Sequence, residues 1–173
     1  MYKMLVLDMD GTLLNEEMRI SSRNKEAVKK AVHKGIRVVL ATGRSFEGVI
    51  PFLEELELLE EGNYTVACCG ALALNNKSRD IIHKYPIAHE DLKMMFRFCE
   101  EHDLDMSAYT TKDILTHHDN LFSKYDAIAN NTVLGSIDFH QLAPELEVFK
   151  VNLINEGNEI RDEIISFFPT IKP

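Results

Sequence analysis

Short apolar runs alternate with amphipathic segments over the first 68 residues, and this alternation restricts the fold more than any other feature of the chain. The runs at residues 4–8, 36–41 and 64–68 have the length and β-branched content of buried strands. The segments between them, 22–34 and 45–56, carry apolar residues at helical spacing. Strands and helices in this order are typical of a parallel sheet with right-handed crossovers. The sequence therefore predicts an α/β fold.

Start and stop signals support these helices. Ser21 or Ser22 can accept an orphan backbone N–H at the start of the first helix, and Ser45 can do so at the second. Gly35 is a suitable stop after the first helix. Residues 13–20 place two apolar pairs around a polar centre, which predicts a hairpin flap.

The pattern changes after residue 70. We expect two strands at 71–75 and 80–84 around a turn at 75–77, and Pro86 marks a boundary because the residue before proline avoids the helical region. Further along, the pattern predicts helices at 89–102, 120–129 and 158–168, a hairpin of 106–109 with 114–117, and a strand at 149–154.

Two carboxylates stand where the first predicted strand ends. Asp8 and Asp10 are two residues apart, and Gly11 and Thr12 follow at once. Open α/β sheets bind ligands at this end of their strands, and the Gly11 turn allows backbone N–H groups to approach a phosphate. A carboxylate 4 Å from a phosphate charge is repelled by roughly 4 kcal/mol near a protein surface. A hard cation such as Mg²⁺ is therefore expected.

A calcium loop is the main alternative for an Asp-x-Asp-Gly sequence. An EF-hand loop has Gly at its sixth position and Glu at its twelfth. Counted from Asp8, those positions hold Leu13 and Arg19, so the calcium-loop hypothesis fails.

A second polar group follows the second predicted strand. Thr42, Gly43 and Arg44 come directly after the apolar residues 38–41, and a helix is predicted to begin just beyond them. A hydroxyl, a glycine and a helix N-terminus together suit an anion. Taken alone, these residues are equally consistent with an ordinary strand-to-helix turn, and Arg44 with a surface ion pair.

Together the two segments resemble the first two motifs of the haloacid dehalogenase-like phosphatases, Asp-x-Asp-Gly-Thr and a strand ending in Thr or Ser. The Ala-Thr-Gly-Arg sequence at 41–44 resembles that of the Cof-type branch of this family, which consists of sugar phosphatases. The resemblance implies a Rossmann-like core with an inserted α/β cap domain. Residues 1–82 would be the N-terminal half of the core, and 83–173 part of the cap.

The resemblance also implies roles for the motif residues. Asp8 would be the nucleophile and a side-chain ligand of Mg²⁺, and Asp10 the general acid and base and a ligand through its carbonyl. Thr42 would donate a hydrogen bond to a phosphoryl oxygen, and Thr12 would help orient the acid/base residue. Phosphate binding would fall to Gly11, Thr12, Thr42, Gly43 and Arg44.

The chain departs from the family pattern in two places. Cys69, Gly70 and Ala71 stand where Cof-type members have Asn-Gly-Ala, so the Asn that contacts the active site is replaced. The later Lys and the Gly-Asp-x-x-Asn-Asp segment of the family have no counterpart up to residue 173, and Lys172 has no motif around it. We therefore expect a C-terminally truncated form, which could self-associate through the core edge that the truncation exposes.

The sequence thus predicts a Mg²⁺-dependent phosphomonoester hydrolase that acts through a phosphoaspartate on a small phosphorylated metabolite such as a sugar phosphate. One alternative is a catalytically impaired fragment or interaction module that retains phosphate or Mg²⁺ binding. A phosphomutase, which uses the same first motif, is another. Transfer of phosphate to a sugar hydroxyl rather than to water would distinguish the phosphomutase.

The charge and the distribution of apolar residues restrict the kinds of partner that the protein is expected to bind. The net charge of −9 argues against a nucleic-acid partner, which would need a basic footprint. The sequence contains no signal peptide and no apolar run long enough to span a bilayer, so no membrane partner and a cytoplasmic location are expected. Cys68 and Cys69 are predicted to be reduced at a buried strand end. We judge His117, His118 and Asp119 to be exposed polar residues at a hairpin end rather than metal ligands.

Overall fold

The computed structural model describes residues 2–155 of the chain. The first structural unit is a five-stranded sheet. Its strands are β1 (Met4–Leu7), β2 (Arg37–Ala41), β3 (Tyr64–Ala67), β4 (Leu72–Asn75) and β5 (Ile81–Lys84), and they lie in this order across the sheet. The first three are parallel, and β4 and β5 continue the sheet as antiparallel strands. The predicted α/β fold is confirmed.

Two helices provide the parallel crossovers of this sheet. Helix α1 spans Ser22–His33, and α2 spans Phe46–Glu55. Ser21 accepts a hydrogen bond from the N–H of Asn24, and Ser45 accepts one from Gly48, so serines cap both helices as predicted.

The segment between β1 and α1 folds back on itself. The turn at Met9–Leu13 contains Gly11 at φ 75°, in the left-handed region that glycine enters without strain. An antiparallel bridge then joins Leu14 to Ile20 and closes the predicted hairpin flap. Met9, Leu13 and Leu14 are buried, so the flap is anchored in the core beneath the first motif.

The first hydrophobic core lies between the sheet and its helices. Among its buried members are Met9, Leu13, Val28, Val38, Leu40, Val49, Leu53, Leu56, Leu58, Leu72, Leu74 and, from far along the chain, Phe149. Two buried hydrogen bonds connect β3 to the loop after α2 at the edge of this core. The Thr65 hydroxyl donates to Asn76 at 2.8 Å, and the Asn76 amide donates to the Leu58 carbonyl at 3.0 Å. These bonds satisfy polar groups that would be costly to bury unpaired.

The second unit is a four-stranded sheet with two helices. Its elements are α3 (His89–Glu101), β6 (Asp105–Tyr109), β7 (Asp113–Thr116), α4 (Leu121–Ala129), β8 (Val133–Ser136) and β9 (Lys150–Ile154). The strand order is β8-β7-β6-β9, with β7 and β8 parallel and the other pairs antiparallel. A second core, which includes Leu92, Phe96, Phe98, Met106, Phe139 and Val148, fills this unit.

Some sequence predictions differ from this structure or lie beyond it. The sequence pattern does not predict strand β8, and the strand expected to reach His117 ends at Thr116. The helix predicted at 158–168 lies outside the described residues. The proposed division between 82 and 83 falls inside β5 and stays a prediction.

Strand β1 forms one edge of the first sheet within residues 2–155. There it pairs with β2 alone, and its apolar side chains are exposed. The exposed fractions are 89% for Tyr2, 51% for Met4, 37% for Leu5 and 54% for Val6. An apolar sheet edge with free backbone groups is a ready surface for pairing with another chain.

Candidate active site

The first motif lies at the carboxyl end of β1, as the sequence predicts. Asp8, Asp10 and Thr12 lie on the turn that follows the strand. The Thr12 hydroxyl donates to Asp8 Oδ2 at 3.1 Å. This bond orients the Asp8 carboxylate through one oxygen. Thr12 was expected to orient the acid/base residue Asp10, but its hydroxyl bonds Asp8, and Arg44 holds the Asp10 side chain instead.

The second motif lies beside it because β1 and β2 are parallel neighbours. Leu7 pairs with Leu40, so the residues after each strand meet at the same edge of the sheet. Thr42 is buried, and its hydroxyl accepts a hydrogen bond from the N–H of Arg44 at 3.2 Å. The N-terminus of α2 begins just beyond, with Ser45 as its cap.

Arg44 joins the two motifs directly. Its Nε donates to Asp10 Oδ2 at 3.0 Å, and its Nη2 donates to Asp10 Oδ1 at 2.7 Å. Such a two-point pair fixes both groups more strongly than a single contact. The Arg44 side chain is only 12% exposed, and its guanidinium lies 5.3 Å from the ring centroid of Phe52. An ion pair of Arg44 at the surface was one of the two alternatives left open by the sequence. The sequence did not identify Asp10, 34 residues away, as the partner.

The loop after β3 completes the edge of the site. The Cys69 N–H donates to the Thr42 carbonyl at 3.1 Å, and the Cys68 N–H donates to the Arg44 carbonyl at 2.9 Å. Both cysteines have positive φ angles, 50° for Cys68 and 56° for Cys69, as the chain turns sharply here. Cys69 therefore holds the backbone of the second motif, at the position where Cof-type members have Asn.

The cysteines are free thiols, and one of them differs from expectation. Cys68 is buried, and burial raises its pKa to about 11. Cys69 was also expected in a buried strand end, but it is exposed because the chain has already left β3 and turned outward.

The second unit contacts the first at this edge. Asn130, at the end of α4, accepts hydrogen bonds from the N–H and the hydroxyl of Ser45 at 3.0 and 3.2 Å. Lys150 Nζ donates to the Gly43 carbonyl at 3.1 Å and lies 4.4 Å from the Tyr109 ring centroid. The second unit thus contacts the backbone of the second motif.

A polar group of the second unit lies beside these contacts. Asp126 accepts hydrogen bonds from Asn130 at 2.8 Å and from Asn152 at 3.3 Å. Burial raises the pKa of Asp126, although Lys150 and Arg44 act in the opposite direction. This half-buried carboxyl is a candidate contact for a substrate group, and no sequence pattern indicated it.

The donor set at the β1 end fits Mg²⁺. Thr12 occupies one oxygen of Asp8, and carboxylate and carbonyl oxygens are the ligands that this hard cation prefers. Arg44 holds the side chain of Asp10, so Asp10 would contribute its backbone carbonyl, as the resemblance implies.

A second group of possible ligands lies in the second unit. The ligand atoms of Asp105, His117 and His118 all lie within 4.8 Å of one another. Burial, helped by the neighbouring His118, lowers the pKa of His117, while Asp105 opposes this shift. The sequence did not predict this group of three, because His117 was assigned to a strand and Asp119, not Asp105, was considered beside the two histidines. Asp119 instead pairs with Lys124 at 2.7 Å.

The α/β fold and the paired motifs at one sheet edge can be compared with known protein families. Residues 5–171 match the haloacid dehalogenase-like hydrolase family, so the chain belongs to that family.

Individual relatives agree with this assignment. "Putative phosphatase YxeH" of Bacillus subtilis is 28% identical over 168 residues, which cover 96% of this chain and 62% of that protein. The crystal structure of a haloacid dehalogenase-like hydrolase from Bacteroides thetaiotaomicron superposes with a TM-score of 0.80 at 26% identity, and covers 98% of this chain and 63% of that one. The structure of the subclass IIB sugar phosphatase BT4131 superposes with a TM-score of 0.78 at 27% identity. The match covers 98% of this chain and 65% of that one.

The chain spans a little under two thirds of the length of these relatives. Within residues 2–155, no helix is both long and apolar enough to cross a membrane.

Proposed function

We propose that the protein is a Mg²⁺-dependent phosphomonoester hydrolase that acts through a phosphoaspartate on a small phosphorylated metabolite, such as a sugar phosphate. One observation carries the proposal most directly. The carboxylates after β1 and the Thr-Gly-Arg segment after β2 share one sheet edge, where Arg44 bonds both oxygens of Asp10. A cytoplasmic location and the absence of nucleic-acid and membrane partners remain part of the proposal.

The nucleophile in this proposal is Asp8. One of its oxygens attacks phosphorus, an O–P bond forms, and the ester O–P bond breaks. Thr12 holds the carboxylate by a 3.1 Å hydrogen bond, which reduces the cost of orienting it for attack. Water then attacks the phosphoaspartate, releases inorganic phosphate and restores the carboxylate.

Asp10 would transfer the protons. It gives a proton to the leaving alkoxide in the first half-reaction and takes one from the attacking water in the second. Since Arg44 occupies both of its oxygens, at least one of these bonds must open during turnover. A phosphate dianion close by would draw the guanidinium toward itself, and the bidentate geometry of Arg suits phosphate oxygens.

The remaining groups would bind the phosphoryl group. The Thr42 hydroxyl, the Gly11 turn and the N-terminus of α2 beyond Gly43 provide donors at the same edge. Asp8 and the carbonyl of Asp10 would hold Mg²⁺, which when bound neutralises charge on the carboxylate and the phosphate.

We propose that the second unit, from α3 to β9, is the cap of the protein, and we call it the cap unit. The proposed substrate class rests on this unit and on the relatives. The sugar phosphatase BT4131 shares the fold of this chain, and the cap unit places Lys150 and Asp126 near the second motif. A cation and a carboxyl that face a phosphate site suit a polar, hydroxylated substrate. We propose these two residues as contacts for the part of the substrate beyond its phosphate.

Phosphate release tests the proposal. The wild-type chain and an Asp8→Asn variant would be assayed on an aryl phosphate and a panel of sugar phosphates, with Mg²⁺ and with a chelator. We expect Mg²⁺-dependent release from the wild type and none above background from the variant.

Two other outcomes would contradict the proposal. Equal release from both proteins would exclude Asp8 as the nucleophile. No release from either, together with Mg²⁺ binding that Asp8→Asn weakens, would favour the fragment that binds without catalysis. That alternative is kept because the chain spans only 62% of a relative such as YxeH.

A further inference from the structure

A cluster of metal-ligating side chains lies in the cap unit, away from the first motif. Asp105 begins β6, and His117 and His118 follow the end of β7. Their ligand atoms lie within 4.8 Å of one another. The opposite end of the same sheet is the one that contacts the core, where Lys150 on β9 donates to Gly43. Four residue steps along β6, roughly 14 Å of extended chain, separate the two ends.

The local backbone explains why two consecutive histidines face the same space. Residues next to each other on a strand point to opposite faces, but β7 ends at Thr116. Beyond it the chain bends, and the Thr116 hydroxyl and the Asn120 amide both donate to the His118 carbonyl, at 2.8 and 3.2 Å. The ring centroids of His117 and His118 are consequently only 4.0 Å apart.

One ring nitrogen of His117 lacks a hydrogen-bond partner. Within residues 2–155, Nδ1 of His117 is buried and unpaired, while the Phe96 ring packs edge-on against the same imidazole at 4.9 Å. Buried polar atoms without a partner are rare in folded proteins, and coordination of an ion would satisfy this nitrogen. Nδ1 of His118 already lies 3.3 Å from Asp105 Oδ1.

The surroundings of the cluster are acidic. The cluster opens into a cavity of about 940 Å³. Five carboxylates line this cavity: Glu100, Asp103, Asp105, Asp119 and Asp138. Within the described part of the chain, its wall contains no Lys or Arg. Such a wall attracts cations and disfavours anions.

We propose that Asp105, His117 and His118 bind one divalent transition-metal cation of the zinc type. Two imidazoles and one carboxylate suit Zn²⁺, whereas Mg²⁺ and Ca²⁺ prefer oxygen ligands alone. Ligand atoms about 2.1 Å from a tetrahedral ion lie roughly 3.4 Å apart. The 3.3 Å between His118 and Asp105 matches this spacing, and small side-chain rotations bring in His117. The fourth position would face the cavity.

A cation here would connect two parts of the cap. It would join the start of β6 to the segment that caps α4, where Asn120 accepts from the Ser123 N–H at 2.7 Å. Helix α4 ends beside Asn130, which bonds Ser45 at the second motif. The site is therefore expected to stabilise the cap unit without contacting the reacting atoms.

Zinc titration of the tag-free full chain tests the proposal. Calorimetry would be carried out in excess Mg²⁺, which saturates any site at Asp8, and Co²⁺ absorption would report the ligand geometry. We expect one equivalent of Zn²⁺, a tetrahedral Co²⁺ spectrum and a rise in the unfolding temperature with Zn²⁺. His117→Gln and Asp105→Asn should each weaken binding by about tenfold or more, since each removes one ligand. His83→Gln, at an exposed histidine on β5, should not weaken it.

The pattern across the variants decides the outcome. The proposal requires that both cluster variants lose affinity while His83→Gln keeps it, and circular dichroism would confirm that each variant is folded. Similar binding in all four proteins would mean that exposed histidines hold the metal, and would overturn the proposal. Absence of stoichiometric Zn²⁺ binding by the wild type would overturn it as well.

Discussion

At the scale of single residues, the contact between Arg44 and Asp10 organises the candidate active site. The two hydrogen bonds, at 3.0 and 2.7 Å, join motifs that are 34 residues apart and position the proposed acid/base group. Asp10 is about half exposed, whereas Arg44 is mostly buried against Phe52. The guanidinium is thus the better anchored partner, and the carboxylate the more accessible one.

Replacing Arg44 by Lys should weaken phosphoryl transfer. Lys keeps the charge but cannot form the two-point bond, and charge-assisted hydrogen bonds contribute about 1.5–3 kcal/mol each. We expect kcat/KM for an aryl phosphate to fall by about tenfold or more. Arg79→Lys is the matched control, because Arg79 forms an exposed pair with Glu47. Unchanged kcat/KM in Arg44→Lys would exclude a role for the guanidinium.

The three thiols should react very differently in the native protein. Burial raises the pKa of Cys68 to about 11 and that of Cys99 to about 12, so near neutral pH both are protonated and unreactive. Cys69 is exposed. We expect iodoacetamide at a pH of about 8 to alkylate Cys69 selectively, with the other two following as the pH approaches their pKa values or the protein unfolds. Peptide mass mapping would show this, and rapid labelling of Cys68 in the native protein under the same conditions would contradict the packing.

At the scale of elements, α2 is one of the places where the two units meet. A Cβ atom added at Gly48 would lie 2.8 Å from Asn130 Oδ1 and 2.9 Å from Asn130 Cα. Glycine inside a helix normally costs about 0.5–1 kcal/mol relative to alanine. The close approach of Asn130 explains why glycine is favourable here.

Gly48→Ala should therefore destabilise the protein, opposite to the usual effect in a helix. Overpacking of this kind costs about 1–3 kcal/mol, because backbone atoms of Asn130 must move. Urea denaturation would measure the free energy of unfolding, with Glu54→Ala on the exposed face of α2 as the control. A more stable Gly48→Ala variant would mean that the units do not pack as described.

The elements also show what the sequence could and could not predict. Strands β1 to β5 and the first two helices were predicted to within about two residues, because strong apolar periods and serine caps define them. Strand β8 was missed, since Val-Leu-Gly-Ser is short, lacks alternation and contains Gly135. Sheet pairing with β7, rather than local preference, makes it a strand.

The candidate active site also contains residues that could be placed from the sequence and contacts that could not. Asp8, Asp10 and Thr42 could be placed from sequence because each follows an apolar strand in a parallel sheet. Contacts across the chain could not be placed, such as the bond from Ser45 to Asn130, 85 residues away. The positions of His117 and His118 could not be predicted because they depend on where β7 ends. A shift of one residue at that boundary moves the His117 side chain to the other face of the sheet.

At the scale of the whole molecule, the exposed edge of the first sheet determines whether copies of this chain are expected to associate. Within residues 2–155, the exposed apolar side chains of β1 and the unpaired backbone groups of this edge strand form a surface that favours contact with another chain over contact with water. The chain covers 62% of the length of a relative such as YxeH. We propose that this chain, on its own, self-associates through β1.

Val6→Lys should reduce this association. A lysine on an edge strand opposes pairing because its charge would have to be buried in the new interface. Sedimentation velocity over a range of concentrations should show a dimer or larger species for the wild type and a shift toward monomer for the variant. Val133→Lys on β8, the edge of the other sheet within residues 2–155, is the control. Monomeric wild type at every concentration would contradict the proposal.

The central claim, that Asp8 receives the phosphoryl group, is tested most directly by trapping the intermediate. The wild-type chain would be mixed with a phosphate ester that it hydrolyses and Mg²⁺, quenched in acid within one turnover, digested and analysed by mass spectrometry. The account predicts the mass of one phosphoryl group on the peptide that contains Asp8, and its absence in Asp8→Asn. Phosphate release without phosphorylated Asp8, or a phosphoryl group on another residue, would contradict it.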